Sequence, residues 1–543
     1  MLNRLPRLFM ALTIGTAAVA FAHDAPPTAV LKDSLDPGLG PLHHKVTTRS
    51  RQAQAHFDQG MRLVFAFNHE AAIKSLTRAF ELDPDLAMAQ WGIGYALGPN
   101  INNAMDPKAH KAAYEAVQKA IALKPKASLA ERAYIDALSK RYSANADADV
   151  APLQVAYKDA MRDVVLRFPN DDDAAVLYAE SLMDLNPWKF WAPDGTPAQG
   201  TLEIVAVLER VLARAPDHTG ANHYYIHAVE ASPHPEKALP SAKRLAKLAP
   251  SAGHLVHMPA HTYIRTGNYL EAARANVAAA KADERLAAAA GDSSPMYLIG
   301  YYGHNLHFLA ISNAFAGRSR EALAAAYKLY EVQAPRIREV PFVDAFMMTP
   351  ALLLVEFERW DEILALPEPA FEAPMTAAMW HFARTLAFAG TGRADDARAE
   401  RAKFGEAAKA LSKTIGYGNN DAEVLALVAR PYLDGRLAFM AGDTTAAITY
   451  LRQAVAAEDA LAYDEPPPWF LPSRDALGAA LLRARDLPAA EQVFRDELRI
   501  HAESGRALFG LHAALAGQGR DREALAVQKR FDRAWRAADV TLK

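Results

Sequence analysis

Small and apolar residues recur along this chain at spacings that only a helix can bring onto one face. They come in sets. Gly60, Ala72, Leu76, Ala79 and Pro84 are followed by Ala113, Val117, Ala120 and Pro125, and then by Ala238, Ala242, Leu245 and Pro250. Gly435, Ala447, Leu451 and Ala454 repeat the offsets, as do Gly478, Ala490 and Phe494. Turns that pair glycine with a polar residue, such as Gly267-Asn268, Gly317-Arg318, Gly392-Arg393 and Gly442-Asp443, fall between the apolar runs and mark helix ends. The pattern predicts about ten to twelve helical hairpins between roughly residues 50 and 535, less regular around 342–366 and 376–400. No alternating β-branched run calls for a strand, so the expected fold class is all-α.

The offsets resemble the tetratricopeptide (TPR) repeat, with small residues where its two helices cross closely and a proline after the second helix. The resemblance implies helical pairs stacked into a right-handed superhelical solenoid with a concave inner groove. It also suggests a domain plan. An extended segment (23–50) leads into a TPR solenoid (51–463) with inserts at 99–110 and 186–200, followed by C-terminal TPR repeats (464–543) after a proline-rich stretch with Trp469 and Phe470. The second insert carries Trp188, Lys189 and Trp191 just ahead of the most unusual part of the chain. It is expected either to cover the groove as a lid or to pack as a plug.

That unusual part is rich in histidine. Nine of the 18 histidines lie between His218 and His307. The TPR register places His223 and His227 at positions 5 and 9 of one repeat, with Glu230 at 12. It places His254, His257 and His261 at 2, 5 and 9 of the next, and His304 and His307 at 2 and 5 of the one after. In a TPR these positions of the first helix face the groove. Neighbouring helices pack about 8–10 Å apart, so imidazoles from adjacent repeats can meet at a divalent transition metal about 2.0–2.1 Å from each nitrogen. Zn, Cu and Fe all suit imidazole. Seven imidazoles exceed the needs of one ion, so two ions, or one ion with additional ligand-contacting rings, are expected. Glu230 is a candidate ligand, orienting partner or catalytic acid/base. Tyr224, Tyr263 and Tyr301 are candidate groove residues.

Composition narrows the setting. The formal charge is −3, which is no footprint for nucleic acid. Arg4 and Arg7, the apolar run Leu8–Ala20 and the Ala20-Phe21-Ala22 site read as a secretory leader (1–22) cleaved after Ala22, and no later run is apolar enough for a membrane span. There is no cysteine to form a disulfide or take a lipid. A periplasmic or secreted protein is expected.

The strings Ala-Leu-Gly-Pro-Asn-Ile-Asn (96–102), 222–232 and 253–261 are similar to those of a group of exported bacterial TPR proteins with a histidine-rich groove. That likeness implies no reaction. Three readings follow: a binding protein with a transition-metal site in its groove, taking a peptide, a protein or a small molecule; a metal-dependent hydrolase or oxygen-using enzyme with the histidines as active site; and a metal-free interaction scaffold. No G-x-S-x-G, H-E-x-x-H or Walker sequence decides among them.

Overall fold

The helices begin where short polar side chains can cap them. Ser50 accepts from the Ala53 N–H, Asn68 from Ala71 and Asp106 from Lys108. Ser128 and Glu131 form a reciprocal capping box. The computed structural model describes residues 34–542 except 146, 291–294, 370–371 and 414. The expected leader and its cleavage site lie outside the described residues.

Among the described residues the helices form twelve consecutive hairpin pairs. Pairs 1 to 4 are Arg51–Phe65 with His69–Leu82, Ala87–Ala96 with Pro107–Leu123, Leu129–Leu138 with Val150–Arg167, and Asp172–Met183 with Thr201–Arg214. Pair 5 is Thr219–Glu230 with Leu239–Leu248. Pair 6 is Gly253–His257 running on as Pro259–Arg265, with Tyr269–Ala290. Pair 7 begins with Pro295–Tyr297 and a π-turn (Leu298–Tyr302), continues as Gly303–Phe315, and returns as Ser319–Gln333. Pair 8 is the least regular: Asp344–Met347 and Thr349–Glu356 precede a short Trp360–Ala365. Pairs 9 to 12 are Pro374–Gly390 with Ala394–Ala407, Ala422–Met440 with Thr444–Asp459, Ser473–Arg483 with Leu487–Ile500, and Gly505–Gly517 with Asp521–Ala534. A two-residue antiparallel ladder, Gly416–Tyr417 against Asn420–Asp421, precedes pair 10. The chain is a TPR-like helical-repeat solenoid.

The small residues of the repeat sit where helices cross. A Cβ on Gly60 would lie 2.5 Å from the Leu76 side chain, and one on Gly478 only 2.3 Å from Phe494. Ala72, Leu76 and Ala79 are fully buried in pair 1, as are Ala447, Leu451 and Ala454 in pair 10. The apolar interior divides at Pro259. One large cluster runs from Leu39 to Met258, and the other from Ala260 to Val527. Trp469, Phe470 and Leu471 of the proline-rich connection belong to the second, so packing is continuous from pair 10 to pair 11.

Two closures turn the solenoid inward. Helix Arg51–Phe65 of pair 1 packs on Thr219–Glu230 of pair 5. Gly220 makes this possible, because a Cβ there would sit 2.5 Å from the Phe65 ring. At the other end, Tyr269 donates to Ala502 O (2.8 Å), Arg506 donates to Glu356 O (2.9 Å), and Asp539 accepts from the Ser319 N–H (2.7 Å). Pairs 11 and 12 therefore fold back on pairs 6 to 8.

The segment before pair 1 straps the first closure. Thr47 donates from N and Oγ1 to Glu131 of pair 3, and Ser251 N donates to Gly38 O. His44 Nδ1 donates to Asp173 of pair 4 (2.6 Å), whose other oxygen accepts from His218 Nε2 (3.0 Å). His218 in turn caps the Thr219–Glu230 helix. Burial alone would lower the His44 pKa, but Asp173 raises it above the ordinary histidine value. Burial would raise Asp173, yet His218 and His44 hold it below the ordinary carboxylate range. The Asp173 contribution to stability is present above about pH 4 and lost as pH falls; the His44 contribution is full below about pH 6.5 and lost as pH rises through its raised folded value. Asp173→Asn should therefore cost about 1.5–3 kcal/mol. Thermal midpoints across pH should show the largest gap from wild type between about pH 4 and 6.5, and a pH-independent gap would refute this account. Gly478→Ala should cost about 1–3 kcal/mol through overpacking, with Phe494→Leu restoring part of it in denaturant melts.

Candidate metal centre

Three consecutive first helices supply the histidines, and each is shaped locally for it. On Thr219–Glu230, His223 and His227 stand one turn apart, with Glu230 three residues further. Pro259 cannot donate to the preceding turn, so pair 6 breaks into Gly253–His257 and Pro259–Arg265. His254 and His257 lie before the break and His261 after it. In pair 7 the π-turn Leu298–Tyr302 precedes His304, and Gln333 Nε2 donates to Ile299 O (2.8 Å) within the widened turn.

The side chains gather into two trios: His223, His227 and His254; and His257, His261 and His304. Within each, one ligand atom from every ring lies within 4.8 Å of the others. The closest approaches are Nε2 to Nε2, at 3.1 Å for His223–His254 and 2.8 Å for His257–His261. Two nitrogens on one tetrahedral ion at about 2.0–2.1 Å would stand about 3.3 Å apart. Rings of different trios are neighbours: the His227–His261 centroids are 5.4 Å apart and His254–His257 6.0 Å. Two ions would share one chamber.

Four of the outward nitrogens are tied down. His223 Nδ1 donates to Phe65 O (2.7 Å) and His257 Nδ1 to Asn276 Oδ1 (2.7 Å). His227 Nδ1 donates to one oxygen of Glu230 (2.8 Å), and His261 Nδ1 to the other (2.5 Å). Metal-bound imidazoles are commonly held through the second nitrogen in this way, which fixes the tautomer and turns the Nε2 lone pair inward. The His257–His261 pair makes the consequence sharp. Asn276 Nδ2 donates to Ala272 O (2.8 Å), so its Oδ1 is what faces His257, and Glu230 is a carboxylate. Both Nδ1 atoms must donate, which in neutral rings leaves two bare lone pairs at 2.8 Å. Only a shared positive centre, a proton or a metal ion, makes that approach favourable. In the other trio His227 Nε2 and His254 Nδ1 are buried without a hydrogen-bond partner.

The chamber is largely buried and aromatic, with His304 its most exposed histidine. His223, His254, His257 and His261 are each at most 2% exposed. Phe67, from the turn of pair 1, packs against the rings of His223 and His254 at 4.6 and 5.3 Å. Phe308 lies 4.9 Å from both His257 and His261. Tyr301 lies 4.6 Å from His254 and accepts from Asn102 Nδ2 (3.3 Å), so the first insert reaches the centre. Burial holds His223, His254, His257 and His304 well below the ordinary histidine pKa, and lowers His227. His261 goes the other way, because Glu230 overrides its burial. Burial would raise Glu230, but His261 and His227 hold it at about 2. The centre thus offers mostly neutral imidazoles around one fixed carboxylate.

Of the eight expected ligands, six form the trios. Glu230 lies outside both, because its two oxygens are committed to His227 and His261. That arrangement matches the orienting partner among its expected roles. His307 is also outside: its ring packs between Phe346 and Phe470 (5.5 and 5.7 Å), and burial lowers its pKa to about 4. The expected groove face is largely buried here, with the Arg51–Phe65 helix of pair 1 packed on Thr219–Glu230. Trp188 stands edge-on to His227 (5.3 Å) and Trp191 Nε1 donates to Ala228 O (2.8 Å), while Lys189 is exposed. Tyr224 packs with Phe65 and Phe67, and Tyr263 contacts both apolar clusters. Phe65, Phe67, Asn102 and Asn276 were not expected. No local signal marks Phe65 and Phe67, since Phe67 stands 156 residues before His223, whereas Asn102 ends the 96–102 string in the first insert.

No protein-family profile matches the chain, and no curated protein matches it. Among solved structures it aligns with the human IFIT1 dimer with m7Gppp-AAAA at 13% identity over 90% of each chain and a TM-score of 0.30. The yeast Tom70 aligns at 12% identity over 88% of this chain and 92% of that one, at a TM-score of 0.31. The APC/C hetero-tetramer Cut9–Hcn1 aligns at 10% over 90% and 88%, at 0.28. Likenesses this distant carry no argument about ligands, and the fold assignment stands on the twelve helix pairs themselves.

Proposed function

We propose that this protein is an exported TPR-like binding protein built around a buried transition-metal centre, with Zn, Cu or Fe held by the two histidine trios. One observation carries the reading: His257 and His261, both locked as Nδ1 donors by Asn276 and Glu230, point Nε2 at Nε2 across 2.8 Å. A metal ion accepts both lone pairs, and His304 adds a third. The unpartnered Nε2 of His227 and the 3.1 Å His223–His254 approach support a second ion. The TPR-like solenoid supplies the scaffold, and the leader-like residues 1–22 support delivery to the periplasm or the exterior.

Elemental analysis of untagged protein from its native compartment tests the proposal, alongside N-terminal sequencing, which should begin at His23. Wild type should carry one to two equivalents of one transition metal; His257→Ala/His261→Ala should lose the ion of its own trio. Substoichiometric metal in wild type would mean that a shared proton bridges the pair, and the metal reading would fall. Asn276→Ala should weaken metal binding about 10–100-fold by freeing the His257 ring. At a free metal concentration 100 times Kd, wild type should gain about 2.7 kcal/mol over the chelator-treated protein; a chelator-insensitive melting curve would contradict this.

A further inference from the structure

A second site lies on the far side of Trp188. A cavity of about 1160 Å³ opens between the aromatic insert and the proline-rich connection. The insert contributes Trp188 and Trp191 to its lining, and the proline-rich connection contributes Tyr463, Pro467, Pro468 and Trp469. Four helices deliver their C-terminal ends to it: Ala231 and Ser232 follow Thr219–Glu230, Arg265 ends Pro259–Arg265, Glu458 and Asp459 end Thr444–Asp459, and Ile500 ends Leu487–Ile500. Helix C-termini carry partial negative charge and favour cations.

The charges of the lining agree with the dipoles. The cations Arg265, Arg474 and Arg499 each have a carboxylate partner on the same wall, in Glu465, Asp459 and Asp496. Asp194, Glu458 and Asp464 also line the cavity, beside Lys189 and His501; burial raises Glu458 and Asp464 to about 7, so a bound cation would favour their charged forms. Glu465 is only 5% exposed, and its Oε2 has no hydrogen-bond partner. The protein already shows what this wall accepts. The Arg265 guanidinium lies over the Tyr463 ring at 5.6 Å and donates to two carbonyls at helix ends, Glu230 O (3.1 Å) and Ile500 O (3.3 Å).

We propose that this cavity binds an organic cation, an ammonium or guanidinium group on an apolar or aromatic body, stacked between the tryptophan and tyrosine walls and facing the carboxylates. Aromatic faces attract such cations by about 0.5–2 kcal/mol, and the volume suits a ligand of small-molecule size. The site goes beyond the metal reading and does not rest on it, since no histidine of either trio lines the cavity.

The test uses the full-length protein, with and without chelator, and three probes of one size: benzylamine, benzyl alcohol and benzoate. Calorimetry and quenching of tryptophan fluorescence should show benzylamine binding at least tenfold more tightly than benzyl alcohol, with benzoate weakest. Glu465→Gln should remove most of that discrimination, and Trp188→Leu should weaken benzylamine about tenfold. Asp194→Asn, on the exposed insert, gives a smaller loss without risk to the fold. A lysine-centred pentapeptide separates the sources: tighter binding than benzylamine means that the cation arrives on a peptide, weaker means a free amine. Equal binding of the three probes, preference for benzoate, or no saturable binding of any of them overturns the proposal.

Discussion

The helix Arg51–Phe65 lies against Thr219–Glu230, and this contact converts an inner groove into a largely buried chamber. Gly220 permits the approach, because any side chain there would meet the Phe65 ring. The approach brings the Phe65 carbonyl to His223 and the Phe67 ring onto His254. Without it the histidines would line a wet trough, where imidazoles are easily solvated and hold no fixed tautomer. With it, most of the rings are buried, and each buried nitrogen needs a partner.

Glu230 is the second organising group. It links the two trios by accepting one imidazole N–H from each, and its charge is held in place by both. A buried carboxylate on its own would be costly, and so would two facing lone pairs on their own. Together with one added positive centre they balance. The same residue ties the chamber to the neighbouring cavity, since its backbone carbonyl accepts from Arg265, which pairs with Glu465 on the cavity wall. The Trp188 ring is the partition: it meets His227 on one side and lines the cavity on the other.

Much of this was legible in the sequence. Offsets such as Gly60–Ala72–Leu76–Ala79 report helix crossing directly, because a close crossing excludes large residues wherever it occurs. The register then assigned faces, and six of seven histidines on those faces reached a trio. His307 did not, because Phe346 of the next pair and Phe470 of the proline-rich connection pack on its ring. An orienting role for Glu230 was among the readings of the sequence, but not that it would serve both trios, which depends on His261 arriving from the next repeat.

The sequence by itself determined what is periodic: an all-α chain of hairpins, the face of each helix, and the repeats that carry the imidazoles. These follow from spacing along one helix or between neighbours, and local geometry enforces them. Only the tertiary structure decided which nitrogens face each other, that the histidines are buried, and that an aromatic-walled cavity lined by carboxylates adjoins them. Those depend on how tightly the solenoid winds. That winding is set by contacts such as Gly220 with Phe65 and Tyr269 with Ala502, between residues more than 150 positions apart, and no repeat pattern encodes them.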